Sequence, residues 1–229
     1  MDDGAAGPAL ALRRQVYRAG RHDDRDPFDA EARHLLVEDA AGGGLLATAR
    51  LRHFGPDDDP TGGYTGRFYD LRPLAALRAH LLEVGRLCVR PGPAHPDVLR
   101  AVFAAITAEA ERVSARYLFG CTSFPGTRPD VHRAPLAGLA GRRLEGALGA
   151  GIRPRGGESV PLGALAAPGT GVTEPLPPLL AMYLALGARV GRHVVIDRDL
   201  GTCHVFTLLD ARAVPAGRLR ALGRLAAAL

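Results

Sequence analysis

Tryptophan is absent from this chain, and so is lysine: all 29 basic residues are arginine. Any cationic site must therefore be built from planar guanidinium forks, which pair with carboxylates and phosphates in bidentate fashion. Cysteine is scarce. Cys88, Cys121 and Cys203 lie far apart, form no CxxC pair, and share no zinc-ligand spacing with the eight histidines. Neither a GxGxxG nor a GxxxxGK[ST] phosphate cradle occurs. No apolar run approaches the roughly 18 residues that span a bilayer. The opening MDDGAAGPALALRRQ places acids first and arginines after a short apolar patch, the reverse of a secretory signal. An odd number of cysteines without such a signal predicts a reducing cytoplasm.

What is present describes a globular protein. Residues are 47% hydrophobic and 23% charged, and 229 residues suit one domain with a substantial core. The expected organisation is a single domain over 1–229, with a Gly-, Ala- and Pro-rich exposed loop over about 149–177. A net charge of +5 and a pI near 9.6 fit an acidic partner or a mildly basic solvated surface. No basic run is interleaved with aromatics, which leaves nucleic acid the least supported partner.

Apolar periodicity sets the expected elements. Ala9 to Gly20 reads as a helix with Leu12, Val16 and Ala19 on one face and arginines on the other. His34 to Val37 and Leu45 to Arg52, separated by EDAAGGG, read as a hairpin. Leu81 to Arg90 is a strand, and Pro96 to Val113 is the clearest helix, with Val98, Val102, Phe103, Ile106 and Ala110 as its stripe. Tyr117 to Ser123 is a buried strand, Arg133 to Ala147 a helix, and Pro178 to Gly187 another. Val194 to Asp197 and Cys203 to Leu209 are strands, and Arg212 to Leu229 is an amphipathic tail helix. The order predicts an α/β fold with antiparallel strands first and a crossover helix in the middle.

The segment Glu83 to Val89 carries the most chemistry. An acid and an arginine in an otherwise apolar strand are costly to bury without partners. Two readings fit: Glu83 as a general base with Arg86 as an anchor, or a buried structural ion pair. Asp26 and Asp29 flank Pro27 and Phe28, and with Arg13 and Arg50 they could form a recognition box for a zwitterion. Taken separately, each of the four reads as a surface charge. Ser123 and Thr122 end a buried strand as candidate donors at a cleft. Cys121 has no paired histidine nearby and, like Cys88, reads as a small buried residue. Asp197 to Asp199 reads as a solvated loop, and His204 as a strand histidine with its hydrogen bonds satisfied.

In order and spacing, FDAEARHLLVED, FYDL, LEVGRLCVRP, HPDVLRAVFAAIT, YLFGCTSFPGT, LPPLLAMYLALGARVG and VVIDRDLGTCHVFTLLD resemble the bacterial ornithine–acyl carrier protein N-acyltransferases. That family has the GNAT fold and is related to the acyl-homoserine-lactone synthases. The resemblance implies an α/β GNAT (acyl-CoA N-acyltransferase-like) fold, a mixed central sheet flanked by helices. It implies an N-acyltransferase that moves a 3-hydroxy fatty acyl group from acyl carrier protein to the α-amine of ornithine, giving lyso-ornithine lipid. The alternatives are a lactone synthase using S-adenosylmethionine and an acyl-lipid binding module without turnover.

Arg13, Asp26, Asp29, Arg50, Glu83 and Arg86 match the charged positions of the lactone synthases, with Tyr17 where those enzymes usually have Phe. Their N-terminal Trp has no counterpart here. By this resemblance Glu83 and Arg86 are catalytic, and Leu87, Cys88 and Val89 supply backbone N–H groups that polarise the thioester. Arg13, Tyr17, Asp26, Asp29, Arg50 and Ser123 bind substrate, Asp26 and Asp29 by positioning Arg13 or the amino acid's second ammonium. No metal and no nucleotide cofactor is implied. RPGPAHPDV lacks the usual GNAT pyrophosphate loop, which suits a carrier-borne donor. The carrier is acidic by resemblance, and Arg142, Arg143, Arg153, Arg155, Arg189 and Arg192 are its expected docking patch. An acyl tunnel is expected from Leu87, Phe103, Phe119 and the Leu179 to Leu186 helix. The expected location is the cytoplasm, with peripheral contact at the inner membrane face.

Overall fold

The computed structural model describes residues 3–92, 96–165 and 175–226. The Gly-rich turn folds β1 (Arg33–Glu38) back on β2 (Leu45–Phe54) as an antiparallel hairpin. Helix α1 (Asp3–Tyr17) precedes it, and the one-turn α2 (Arg72–Ala75) follows. Strand β3 (Leu81–Val89) continues the sheet antiparallel to β2. Helix α3 (Pro96–Arg112) then crosses over, so that β4 (Tyr117–Pro125) runs parallel to β3. Beyond β4 come α4 (Arg133–Ala137), α5 (Gly146–Gly151) and β5 (Ser159–Pro161). Helix α6 (Pro178–Ala185), β6 (Arg189–Asp197), β7 (Thr202–Asp210) and α7 (Ala216–Ala226) complete the chain.

Seven strands form one sheet in the order β1-β2-β3-β4-β7-β6-β5. The expected helical stripe of α3 packs on one face, where Val102, Phe103 and Ile106 join Leu82, Val84, Leu118 and Tyr183 of α6. The opposite face holds Phe54, Tyr69, Leu71, Phe119, Ile152 and Phe206. Burying both faces is what a mixed sheet in an α/β fold requires.

The expected hairpin, the β3, β4 and β7 strands and α3 all form, and four readings are corrected. Arg13 on α1 points inward and is fully buried, while Val16 is 36% exposed. Helical spacing alone could not reveal this, because the inward turn depends on acids in the following loop. The helix expected over 133–147 is broken into α4 and α5, since Gly138, Gly141 and Gly146 interrupt it. Within 149–177, read as loop, β5 pairs with β6 and adds the edge strand. Strand β6 starts at Arg189, five residues before the expected Val194.

Strand β3 carries one irregularity, a bulge. Thr48 pairs with Cys88 and Arg50 with Gly85, so Ala49 faces both Arg86 and Leu87. Arg86 occupies this bulge with a positive φ of 49°. A bulge re-aims the side chain it carries.

Candidate active site: a cleft between two splayed strands

Parallel pairing of β3 and β4 stops at Glu83 and Phe119. At that apex a Cβ on Gly120 would stand 2.2 Å from the Val84 carbonyl oxygen, so glycine permits the close approach from which the strands diverge. Past it lies a cleft of about 250 Å³, lined from β3 by Val84 to Leu87 and from β4 by Leu118 to Ser123.

The two sides of the cleft differ in chemistry. Leu118, Leu179 and Tyr183 lie on the face covered by α3 and α6 and are apolar. Tyr64, Thr65, Asp197 and His204 also line the cleft and are polar. Pairing of Ser123 with His204 across β4 and β7 sends these two side chains to one face, the face on which His204 meets Tyr69.

Arg86 reaches the cleft through its bulge and is held from behind. Its Nε donates to Asp24 at 2.9 Å and an Nη to Asp26 at 3.1 Å, and its guanidinium lies 4.5 Å from the Tyr64 ring centroid. Asp24 also accepts from Arg13 and Arg18, each at 2.9 Å. Asp29 accepts from Arg13 at 2.6 Å and from Arg50 at 3.0 Å, and Arg50 bonds Asp26 as well. Burial raises the Asp29 carboxyl, but hydrogen bonds from Arg13, the Asp26 backbone and Arg50 outweigh it and hold it at about 2. Arg13, Arg50 and Arg86 thus interlock with Asp24, Asp26 and Asp29 as a buried network that ties α1 and the 24–29 loop to the sheet.

This placement revises the expected recognition box. Arg13, Asp26, Asp29 and Arg50 do come together, but none of them lines the cleft, and both carboxylates are already engaged by guanidinium groups. With Asp24 they form the network that braces Arg86 from outside the cleft lining. Asp24, the hub of the network, lies in HDDRDPFD, a polar stretch with no apolar periodicity to mark it. The only signal available was its density of acids beside an arginine-bearing helix.

Glu83 is also revised. It is buried outside the cleft lining, and its two oxygens accept from Tyr64 N (3.2 Å) and Thr65 N (2.6 Å). A Cβ on Gly63 would come within 2.6 Å of the carboxylate, so the loop closes on it through glycine. Glu83 holds in place the loop that brings Tyr64 and Thr65 to the cleft.

Tyr17 lines the cleft and donates to the Leu87 carbonyl at 2.6 Å. Burial pushes its phenol well above the ordinary range, so it stays a neutral donor. Ser123 and Leu87 line the cleft as expected, whereas Cys88 and Val89 face Thr48 and Ala47 across the strand pair and do not. Burial raises the Cys88 thiol to about 12 and the Cys121 thiol further still, which keeps both protonated. Of the expected tunnel residues, Leu87, Phe119 and Leu179 line the cleft. Phe103 does not and instead packs edge-on against Tyr183.

Two residues that read as a solvated loop and a satisfied strand histidine belong here as well. Asp197 ends β6 buried, accepting from the Tyr64 hydroxyl at 2.8 Å and from Leu200 N at 3.1 Å. His204 is 1% exposed, and its Nε2 has no hydrogen-bond partner among the described residues. Burial lowers its pKa to about 4. Among the described residues no group of three or more His, Cys, Asp or Glu side chains could hold a metal ion. No helix among them is long and apolar enough to cross a membrane. The RPGPAHPDV turn includes residues 93–95, which lie outside the described residues.

Residues 12–101 match the acetyltransferase (GNAT) domain family. The chain is similar to L-ornithine N(alpha)-acyltransferase of Brucella abortus (strain 2308), 31% identical over 214 residues that cover 90% of this chain and 76% of that protein. It is similar to the enzyme of the same name from Rhodobacter capsulatus, 28% identical over 219 residues covering 92% and 81%. Among solved structures, TofI in an apo form shares the fold, with a TM-score of 0.50 at 17% identity, covering 98% of this chain and 94% of that one.

Proposed function

Because the chain belongs to the L-ornithine N(alpha)-acyltransferase family, we propose that its cleft joins a fatty acyl thioester to the α-amine of ornithine. The observation that carries this reading is the division of the cleft between an apolar side of Leu118, Leu179 and Tyr183 and a polar side of Tyr64, Asp197 and His204. A long acyl thioester suits the first, and a charged amino acid the second.

The reaction needs only positioning and polarisation. The unprotonated α-amine attacks the thioester carbonyl, a C–N bond forms, and the C–S bond breaks. The thiolate leaves and takes up a proton, and the proton lost from the original ammonium goes to solvent. In this reading the developing oxyanion is stabilised by backbone N–H groups of the Gly85 to Leu87 stretch, beyond the point where β3–β4 pairing ends. Tyr17 fixes the Leu87 carbonyl and so the orientation of this bulge. Arg86, charged and facing the cleft, receives the amino acid's carboxylate.

The donor in this reading is a 3-hydroxyacyl group on acyl carrier protein. Arg142, Arg143, Arg153, Arg155, Arg189 and Arg192 are all exposed, and none pairs with a carboxylate among the described residues. Other surface arginines, Arg72, Arg128 and Arg198 among them, do pair with acids. Four of the six cluster around α5 and β6: Arg189 donates to the Gly141 carbonyl, Arg143 bridges to Val190, and Arg153 and Arg192 line one shallow pocket. Such a surface suits an acidic carrier.

The test is release of free thiol from 3-hydroxyacyl carrier protein with and without ornithine. Ornithine-dependent release supports the assignment. Release at the same rate without any amine would show hydrolysis instead.

A further inference from the structure

Asp197 is an anomaly in this chain. Every other buried acid among the described residues either pairs with arginine, as Asp24 does, or, like Glu83, is claimed by two backbone N–H groups of one loop outside the cleft. Asp197 is 3% exposed, lines the cleft, and has no cationic partner among the described residues. Its two hydrogen bonds come from neutral donors, Tyr64 and Leu200 N, one to each oxygen. A carboxylate has about four acceptor sites, so capacity remains on both oxygens. Buried carboxylates without a countercharge are rare because desolvation penalises them heavily.

His204, which also lines the cleft, carries a second vacant acceptor. Its Nδ1 and its backbone carbonyl each lie 3.2 Å from the Tyr69 hydroxyl oxygen. The arrangement that uses both contacts has Nδ1–H donating to the phenol oxygen and the phenol proton going to the carbonyl. Nε2 is then left as a bare lone pair, buried and unpartnered. Burial keeps the ring neutral, so it accepts rather than repels a cation. A lone carboxylate and a lone imidazole nitrogen together ask for a ligand rich in donors and positively charged.

We infer that Asp197 and His204 form the site for the acceptor's second, side-chain ammonium, so that this end of the cleft selects dibasic amino acids over apolar ones. The inference rests on the acyl-transfer reading for its biological sense, but the site itself can be tested without turnover. Asp26 and Asp29, the sequence-based alternative for this ammonium, are already bound by Arg13, Arg50 and Arg86. The Tyr64 ring lies between the two charges of the cleft, bonded to Asp197 and covered by Arg86. Carboxylate and side-chain ammonium of one amino acid can thus be held on either side of that phenol, leaving the α-amine toward the splayed strands.

The experiment is calorimetric binding of ornithine and of norvaline, which has the same chain length without the terminal ammonium, to the full-length protein with no acyl donor. The wild type should bind ornithine about 10- to 100-fold more tightly, the difference expected of charge-assisted hydrogen bonds to a buried acid. In Asp197→Asn, which keeps an oxygen for Tyr64, the ratio should fall to about one. In His204→Leu it should fall by a smaller factor. Equal affinity for the two ligands in the wild type, or a ratio untouched by both substitutions, overturns the inference. Selective binding of ornithine without any amide product on adding acyl donor would sink the transfer reading and leave this site standing.

Discussion

The Glu83 carboxylate accepts the backbone N–H of Thr65 at 2.6 Å, and its other oxygen accepts that of Tyr64. With both oxygens so occupied, and outside the cleft lining, Glu83 is expected to act through the loop it holds. Glu83→Gln replaces one acceptor with a donor facing an N–H. The expected cost is about 1–3 kcal/mol of stability, seen as a lower urea midpoint. The pH dependence of the remaining activity should keep its shape. Loss of one limb of that profile would return Glu83 to the role of base.

Asp24 should be the most sensitive position of the buried network. Asp24→Ala strips a partner from Arg13, Arg18 and Arg86 at once, leaving each with a single carboxylate partner (Asp29, Asp199 and Asp26) and an unfilled, buried side of the network. Destabilisation of about 3–5 kcal/mol is expected. Asp199→Ala removes only the exposed partner of Arg18 and should cost about 1 kcal/mol or less. Denaturant unfolding of the two variants compares them directly, and similar costs would contradict the network's role.

Acid should destabilise the protein in two windows. His204, lowered from 6.5 to about 4, contributes stability that is fully present above pH 6.5 and lost as pH falls toward 4. Asp29, lowered from 3.8 to about 2, contributes stability present above pH 3.8 and lost as pH falls toward 2, on the order of 2 kcal/mol. Thermal unfolding followed against pH should show both. His204→Leu should flatten the first window, and Asp29→Asn the second.

Most of the scaffold was legible because periodicity reports which faces meet the core. The stripe of α3, the apolar runs of β3, β4 and β7 and the Gly-rich hairpin turn each carried a local signal. The β3 segment also announced its chemistry, since Glu83 and Arg86 stand out in an apolar strand. What it could not announce was direction. The bulge that turns Arg86 into the cleft depends on pairing with β2, and the capture of Glu83 depends on a glycine 20 residues away. Asp197 and His204 are inconspicuous for the same reason: in one dimension VVIDRD and CHVF look like an ordinary strand pair and its turn. Their vacancy as acceptors exists only once Tyr64 and Tyr69 are folded against them.

Docking of an acidic carrier on the exposed arginines should be strongly screened. Affinity of acyl carrier protein, measured by fluorescence anisotropy, is expected to fall as salt rises from 50 to about 300 mM. The double variant Arg153→Ala, Arg192→Ala should weaken binding several-fold at low salt and reduce the salt slope. Salt-independent binding would place the carrier elsewhere.

The central claim is amide formation on one particular nitrogen. Purified protein incubated with 3-hydroxyacyl carrier protein and ornithine carrying 15N only at the α position should yield a product whose acyl fragment, in tandem mass spectrometry, retains the label. That result places the new bond on the α-amine and leaves the side-chain ammonium free for Asp197 and His204. An unlabelled acyl-amide fragment would put the acyl group on the side chain and contradict the account, as would methylthioadenosine and a lactone formed only when S-adenosylmethionine is supplied.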